Sequence, residues 1–285
     1  MTSAEQQFHS DPVGFGQALL AAGDLDPVYE CLHRASLPDN QLRRWLLAYW
    51  CLYHTGAASY VSEYGGCHFW QKMMLAAQNT APSPIGGRWP RGRERRYFRG
   101  EASVRAVDQL AADWPNPEHL VNYLCLTEPG QGVLPYQELR RKVVELPLFG
   151  PWIAFKVGDM LERVLAVPVD FFQADVMMFE QPRLAALILY HQLTGEDVNK
   201  ADQEAAVKKS AGYLLKAFRN HPAPPRGERP CNIQEIETIL CKWKSHRNGH
   251  YPVGNDVREV RHALSEWSPV SQTAALLLSR APEEA

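Results

Sequence analysis

Residues 143–152 read Val-Val-Glu-Leu-Pro-Leu-Phe-Gly-Pro-Trp, and this stretch limits the fold more than any other. Proline lacks a backbone donor and glycine tolerates conformations that other residues avoid, so a helix that reaches Glu145 has to stop there. Pro151 suits the first position of a new helix, because the N–H it lacks would have no partner there. The spacing predicts two helices, over 135–145 and 151–165, joined by a tight turn. Such a turn points backbone N–H groups and the positive end of a helix dipole at one spot, which suits a phosphate.

Helical periodicity extends over most of the remaining chain. "QLRRWLLAYWCLYH" (41–54) places Leu42, Trp45, Leu46, Tyr49 and Leu52 on one face and reads as a buried helix, with His54 at its end, able to cap it or to reach a pocket. Further helices are predicted around 14–22, 67–79, 101–113, 117–126, 171–180, 182–192, 202–219, 232–246 and 256–266. Strand-like alternation is scarce, so the fold class is mainly α. The proline-rich stretches 79–92 and 220–230 are connections. The chain reads as a single helical enzyme over 1–285, for which two lobes are conceivable, with 136–180 and 231–260 as its two functional segments.

Composition excludes some functions. With 30 lysines and arginines against 32 acids and a net charge of −2, the chain is not one that coats nucleic acid by bulk charge. Local charge differs. "GRWPRGRERRYFRG" (87–100) sets Arg88, Arg91, Arg93, Arg95, Arg96 and Arg99 against one acid, Glu94, and "CKWKSHRNGHYP" (241–252) adds Lys242, Lys244, His246, Arg247 and His250. Converging in the fold, these clusters would give a neutral body one positive face. The six cysteines are scattered and read as reduced core thiols. No run of about 18 apolar residues and no signal peptide is evident, so no membrane association is expected.

Several side chains carry candidate chemistry. Asp170 follows Val-Pro-Val and precedes Phe171 and Phe172; by itself it reads as the cap of a helix behind it. Asp159 falls within ion-pair reach of Lys156 and Arg163 on the helix after the turn. On the helix predicted over 232–246, Glu237, Cys241 and Lys244 share one stripe, and Lys242 and His246 share its neighbour. Zinc held by Cys241, His246 and His250 is disfavoured, because Asn248-Gly249 should end the helix between the histidines.

The segment 146–172 resembles the hairpin of the helix-hairpin-helix DNA glycosylases, which carry a catalytic aspartate at the offset that separates Gly150 from Asp170. It departs from that pattern at Leu148, which replaces the first glycine of the turn, and at Trp152, which stands where some members carry a lyase lysine. The four-cysteine iron–sulfur loop of many such enzymes is also missing. A closer resemblance covers more of the chain. "GRERRYFRG" (92–100), "LPLFGPWIAFKVGDMLERV" (146–164), "VDFFQADV" (169–176) and "IETILCKWKSHRNGHYPVGNDVRE" (236–259) are similar to the α-glutamyl/putrescinyl thymine pyrophosphorylases, the amino acid:DNA transferases of bacteriophages.

That resemblance implies a helical, glycosylase-like enzyme in the cytoplasm of an infected bacterium. Its substrates would be DNA bearing 5-pyrophosphoryloxymethyluracil and a small amine donor: glycine, glutamate or putrescine. The amine displaces pyrophosphate, and hypermodified thymine results. Under this reading Asp170, Lys244 and His246 are catalytic. Arg93, Arg95, Arg96, Arg99, Gly150, Trp152, Lys242 and His250 bind pyrophosphate or DNA, with Asp159, Phe171, Glu237 and Cys241 as further candidates. Phe171, Phe172 or Trp152 would stack against a flipped base or fill its vacancy. Acids such as Asp175, Asp159 or Glu237 would suit putrescine. No cofactor is required, and magnesium accompanying the pyrophosphate is left open. Two other functions remain: a monofunctional DNA glycosylase and a non-catalytic DNA-binding module.

Overall fold

The computed structural model describes residues 8–78, 80–127, 130, 132–171 and 179–284. It is mainly helical, and its chain contacts divide it into two units. The terminal unit comprises Met1–Pro27, Phe171–Arg258 and Pro282–Ala285, and the central unit comprises Val28–Asp170 and Glu259–Ala281.

The terminal unit is built from α1 (Pro12–Ala21), α10 (Glu180–Thr194), α11 (Gln203–Phe218), α12 (Ile233–Arg247) and the first turn of α13 (Asn255–Trp267). Helix α12 packs against α1, α10 and α11, with Phe15, Leu19, Phe218, Ile239 and Trp243 in the core. It starts where Asn232 and Glu235 cap each other reciprocally, a pattern legible in Asn-Ile-Gln-Glu.

The central unit holds α2 (Pro27–Ala35), α3 (Asp39–Leu52), α4 (Thr55–Ser62), α5 (Gly66–Gln78), α6 (Glu101–Asp113), α7 (Pro117–Cys125), α8 (Tyr136–Val144), α9 (Pro151–Arg163) and α14 (Gln272–Arg280), with the rest of α13. Helix α3 packs on α4, α7 and α9, and α8 packs on α9. From Trp45 to Leu52 every residue of α3 is buried, more than the single apolar face of its sequence required. Two short strands, β1 (Leu134–Pro135) and β2 (Val169–Asp170), pair in parallel, Leu134 with Val169 and Pro135 with Asp170. Cys31 and Cys51 are buried thiols, both pushed up to about 12 chiefly by burial, so neither is a thiolate at neutral pH.

Helices α2, α4 and α14 were not expected, and neither was the strand pair. Helix α4 shows why: "TGAASYVS" has low intrinsic propensity and forms under α13, whose Trp267 ring and Ala263 carbonyl lie against Gly56. His54 belongs to α4. Its Nδ1 accepts from the Ala57 N–H at 3.2 Å, capping the N-terminus of α4. The expected helix over 171–180 falls mostly outside the described residues, as do Phe172 and Asp175.

Burial, with His262 second, pulls the His54 imidazole down to about 4. The folded value lies below the unfolded value of about 6.5, so this contribution to stability is complete above pH ~6.5 and is lost as the pH falls toward 4. Protonation also removes the lone pair that caps α4. Urea unfolding at pH 7 and pH 4.5 should show a loss on the order of 2 kcal/mol through this group. His54→Asn keeps a cap without the titration, and its acid limb should be flatter.

Candidate active site

The hairpin segment and Asp170 form one continuous unit of chain. β1 runs into α8, whose N-cap is Pro135; α8 ends at Val144, and α9 begins at Pro151 and leads to β2. Because Pro135 and Asp170 are register partners, the backbone of Asp170 is held to the base of the first hairpin helix. Leu134 N–H donates to the Pro168 carbonyl at 2.8 Å, and the Asp170 side chain is exposed.

The turn has two unlike positions. Leu148, where the resembling motif carries its first glycine, adopts φ +64° and is 44% exposed, a left-handed conformation that costs a leucine about 1–2 kcal/mol. Gly150 is extended, at φ −110° and ψ −177°, which any residue adopts. Among the described residues a Cβ on Gly150 would meet nothing within 4 Å, and as the N-cap of α9 Gly150 has no side chain to cap its first turn. The free space beside these amides suits close approach of an anion. Gly150→Ala should therefore leave the melting temperature unchanged within about 1 °C, yet weaken DNA binding about tenfold, the size expected for loss of one good backbone–phosphate contact. Thermal melting and fluorescence anisotropy on the same preparation check both halves.

The arginine loop is fastened to this turn. Arg95 is 8% exposed; its Nε donates to the Cys51 carbonyl at 3.1 Å and its Nη1 to the Leu148 carbonyl at 2.8 Å. The guanidinium lies between the rings of Phe98 and Phe149, 5.0 and 5.2 Å from their centroids. Arg91 donates to the Trp89 carbonyl at 2.8 Å and to the carbonyls of Phe98 and Ala76. Gly92 packs against Tyr53, leaving no room for a Cβ, and its N–H donates to the Leu52 carbonyl at 3.0 Å. Arg91 and Arg95 thus hold the loop's shape, while Arg93, Arg96 and Arg99 are exposed. Trp152 packs edge-on against Tyr53, centroids 5.0 Å apart, at the end of a ring ladder through Tyr49 and Trp45 along α3.

Asp159 is fully buried below the turn. Tyr29 donates to Oδ2 at 2.8 Å, Lys156 Nζ lies 3.9 Å from Oδ2, and Arg163 Nη1 lies 3.4 Å from Oδ1. Both ion-pair partners suggested by the sequence are engaged, in a network that holds α9 to α2.

The second basic segment lies in the terminal unit. Lys242 Nζ donates to the carbonyls of Asp24 and Leu25, at 2.5 and 2.9 Å, and pairs with Asp256 at 2.7 Å, which accounts for all three of its protons. Asp24, which sequence reasoning did not single out, is fully buried and accepts from Gly254 N–H (2.7 Å), Val257 N–H (3.0 Å) and Tyr251 Oη (3.0 Å). It caps the N-terminus of α13 from a distant part of the chain. Burial raises its carboxyl above the usual range, opposed by Lys242 and those two amides.

His246 is buried against the Phe15 ring, 4.9 Å between centroids, with Nδ1 at 2.8 Å from the Tyr251 carbonyl. Since a carbonyl only accepts, Nδ1 carries the proton and the Nε2 lone pair is left with no hydrogen-bond partner. Lys244 reaches Gln181 at 2.7 Å, His250 is exposed, Glu237 is buried and Cys241 half-buried. Phe171 is 2% exposed. Among the described residues no three His, Cys, Asp or Glu side chains group as metal ligands, and no helix is long and apolar enough to cross a membrane.

An arginine loop locked to a helix–turn–helix unit, with an exposed carboxylate at its foot, is equipped to hold phosphate and accept a proton. The chain belongs to the family described as amino acid:DNA transferase, whose profile matches residues 21–250. It is similar to a glycinyltransferase of Pseudomonas phage PaMx11, 46% identical over 282 residues that cover 94% of this chain and 95% of the relative. A putrescinyltransferase of Delftia phage PhiW-14 is 27% identical over 281 residues, 95% of this chain and 82% of the relative.

Proposed function

We propose that the chain transfers glycine to an activated thymine in DNA. The observation that carries this reading is the near full-length identity of 46% with a glycinyltransferase, against 27% with a putrescinyltransferase. The DNA substrate is 5-pyrophosphoryloxymethyluracil. The glycine amine forms a bond to the exocyclic carbon, the carbon–oxygen bond to pyrophosphate breaks, and the glycosidic bond is untouched.

Asp170 takes the proton that the amine must lose, a role suited to an exposed carboxylate fixed by its backbone. Arg93, Arg96 and Arg99 present guanidinium groups to the charge that develops on leaving pyrophosphate. Arg95 and Arg91 position them. The α9 N-terminus and Gly150 hold the DNA backbone.

The test is a donor competition. DNA bearing 5-pyrophosphoryloxymethyluracil is incubated with the protein and equimolar glycine, glutamate and putrescine, and its nucleosides are weighed by mass spectrometry. The glycine adduct should dominate. A dominant glutamate or putrescine adduct overturns the donor assignment, and free base with abasic DNA identifies a glycosylase instead.

A further inference from the structure

Tyr97 is the most exposed large hydrophobic side chain of the described residues, at 75%. It stands on the arginine loop, between a buried Arg95 and a buried Phe98 and among the exposed Arg93, Arg96 and Arg99. Its backbone is firmly held: the Tyr97 carbonyl accepts from Arg99 N–H at 2.8 Å and Ser103 Oγ at 3.4 Å. Before it in the chain, Arg91 and Arg95 brace the loop through its own Trp89 and Phe98 carbonyls and fasten it to three carbonyls outside, those of Ala76, Cys51 and Leu148 in the turn. The Arg96 guanidinium covers one face of the ring, 4.6 Å from its centroid, and Nη2 donates to the phenol oxygen at 2.8 Å.

A large aromatic held out in water on a braced loop pays the hydration cost of an apolar ring while gaining no packing inside the protein. The ring of cations around it selects an anionic partner with flat apolar faces, and DNA supplies both. The bracing has a purpose in that setting, because a side chain already held out loses little freedom on insertion. We propose that Tyr97 enters the base stack of duplex DNA and fills the space left when the modified uracil is extruded. This inference rests on the reading that the chain works on a DNA base. The protruding position favours the vacancy over the extruded base itself: a side chain that receives a base lines a concave pocket, whereas Tyr97 stands clear of the surface. Arg96 travels with it as a stacking partner, and the exposed arginines meet the flanking phosphates.

The experiment compares the full-length wild type with Tyr97→Ala, Tyr97→Phe and Tyr97→Trp on one oligonucleotide bearing 5-pyrophosphoryloxymethyluracil, offered as a duplex and as a single strand. Tyr97→Ala should lower kcat/KM on the duplex by about 10- to 100-fold, the range seen when one base-stacking aromatic is removed, and on the single strand by less than about threefold. The phenylalanine and tryptophan variants should keep most of the duplex rate, and all melting temperatures should agree. Equal losses on both substrates, or no loss on the duplex, overturn the proposal. A second readout needs no transfer. With 2-aminopurine opposite the modified uracil, wild-type protein should change its fluorescence on binding and Tyr97→Ala should not; a wild type that binds without a change overturns insertion. If the wild type binds and perturbs the stack but transfers nothing, the proposed function fails while the role of Tyr97 stands.

Discussion

Asp170→Asn should abolish most of the transfer and little else. Single-turnover formation of the modified nucleoside should slow by roughly 10²- to 10⁴-fold, the usual contribution of a positioned proton acceptor. DNA affinity, read by anisotropy, should hold within about twofold, and the stability should fall by no more than about 1 kcal/mol. The physical reason is separation of roles. The Asp170 backbone is held by its pairing with Pro135, while its side chain is exposed, so replacing one oxygen with an amide nitrogen removes a base without disturbing the frame. Asp170→Glu should recover part of the rate, since it restores the charge at a displaced position. A variant with full activity would show that Asp170 is not the proton acceptor.

Asp24→Ala should give a large loss of stability. The carboxylate serves three buried donors, the N–H groups of Gly254 and Val257 and the Tyr251 hydroxyl, and alanine leaves all three without it. Each buried donor stranded in this way costs about 1–3 kcal/mol, not fully additively, so a total of about 3–5 kcal/mol is expected. The N-terminus of α13 would lose its cap as well. For a chain of this size the melting temperature should fall by on the order of 10 °C. Asp24→Asn keeps the shape and one acceptor oxygen and should lose about half as much. Differential scanning calorimetry of both variants measures this, and a drop below about 2 °C for alanine would mean that water replaces the carboxylate at these groups.

The two helices on either side of the Leu146–Gly150 turn were legible because their signals are local. Pro151 opens α9 at the position the sequence assigned, and Asn232 with Glu235 opens α12. Local signals also announced α14, where Ser271 Oγ accepts from Ala274 N–H at 3.1 Å, although that helix was not anticipated. Pairings between distant segments could not be read. Nothing near Leu134 announces Val169, and nothing in Gly-Asp-Leu-Asp marks Asp24 as the cap of a helix at Asn255. The same limit governed the charged residues. A loop has no fixed periodicity, so the sequence could not say that Arg91 and Arg95 turn inward to carbonyl partners while Arg93, Arg96 and Arg99 face water. Tyr97 and Phe98 are neighbours in one motif, yet one is exposed and the other buried. On α12 the helical stripes were correctly spaced, but spacing alone does not tell which stripe faces the protein, and Lys242 and His246 both point to partners within the terminal unit.

The most direct measurement is a single-turnover reaction with isotopically labelled glycine on a duplex containing one 5-pyrophosphoryloxymethyluracil, scoring modified nucleoside, released pyrophosphate and abasic sites in the same samples. Displacement of pyrophosphate by the glycine amine predicts one labelled nucleoside and one pyrophosphate for each base converted, with the strand free of abasic sites. Pyrophosphate retained on the base while free base accumulates would contradict it and make Asp170 the carboxylate of a glycosylase.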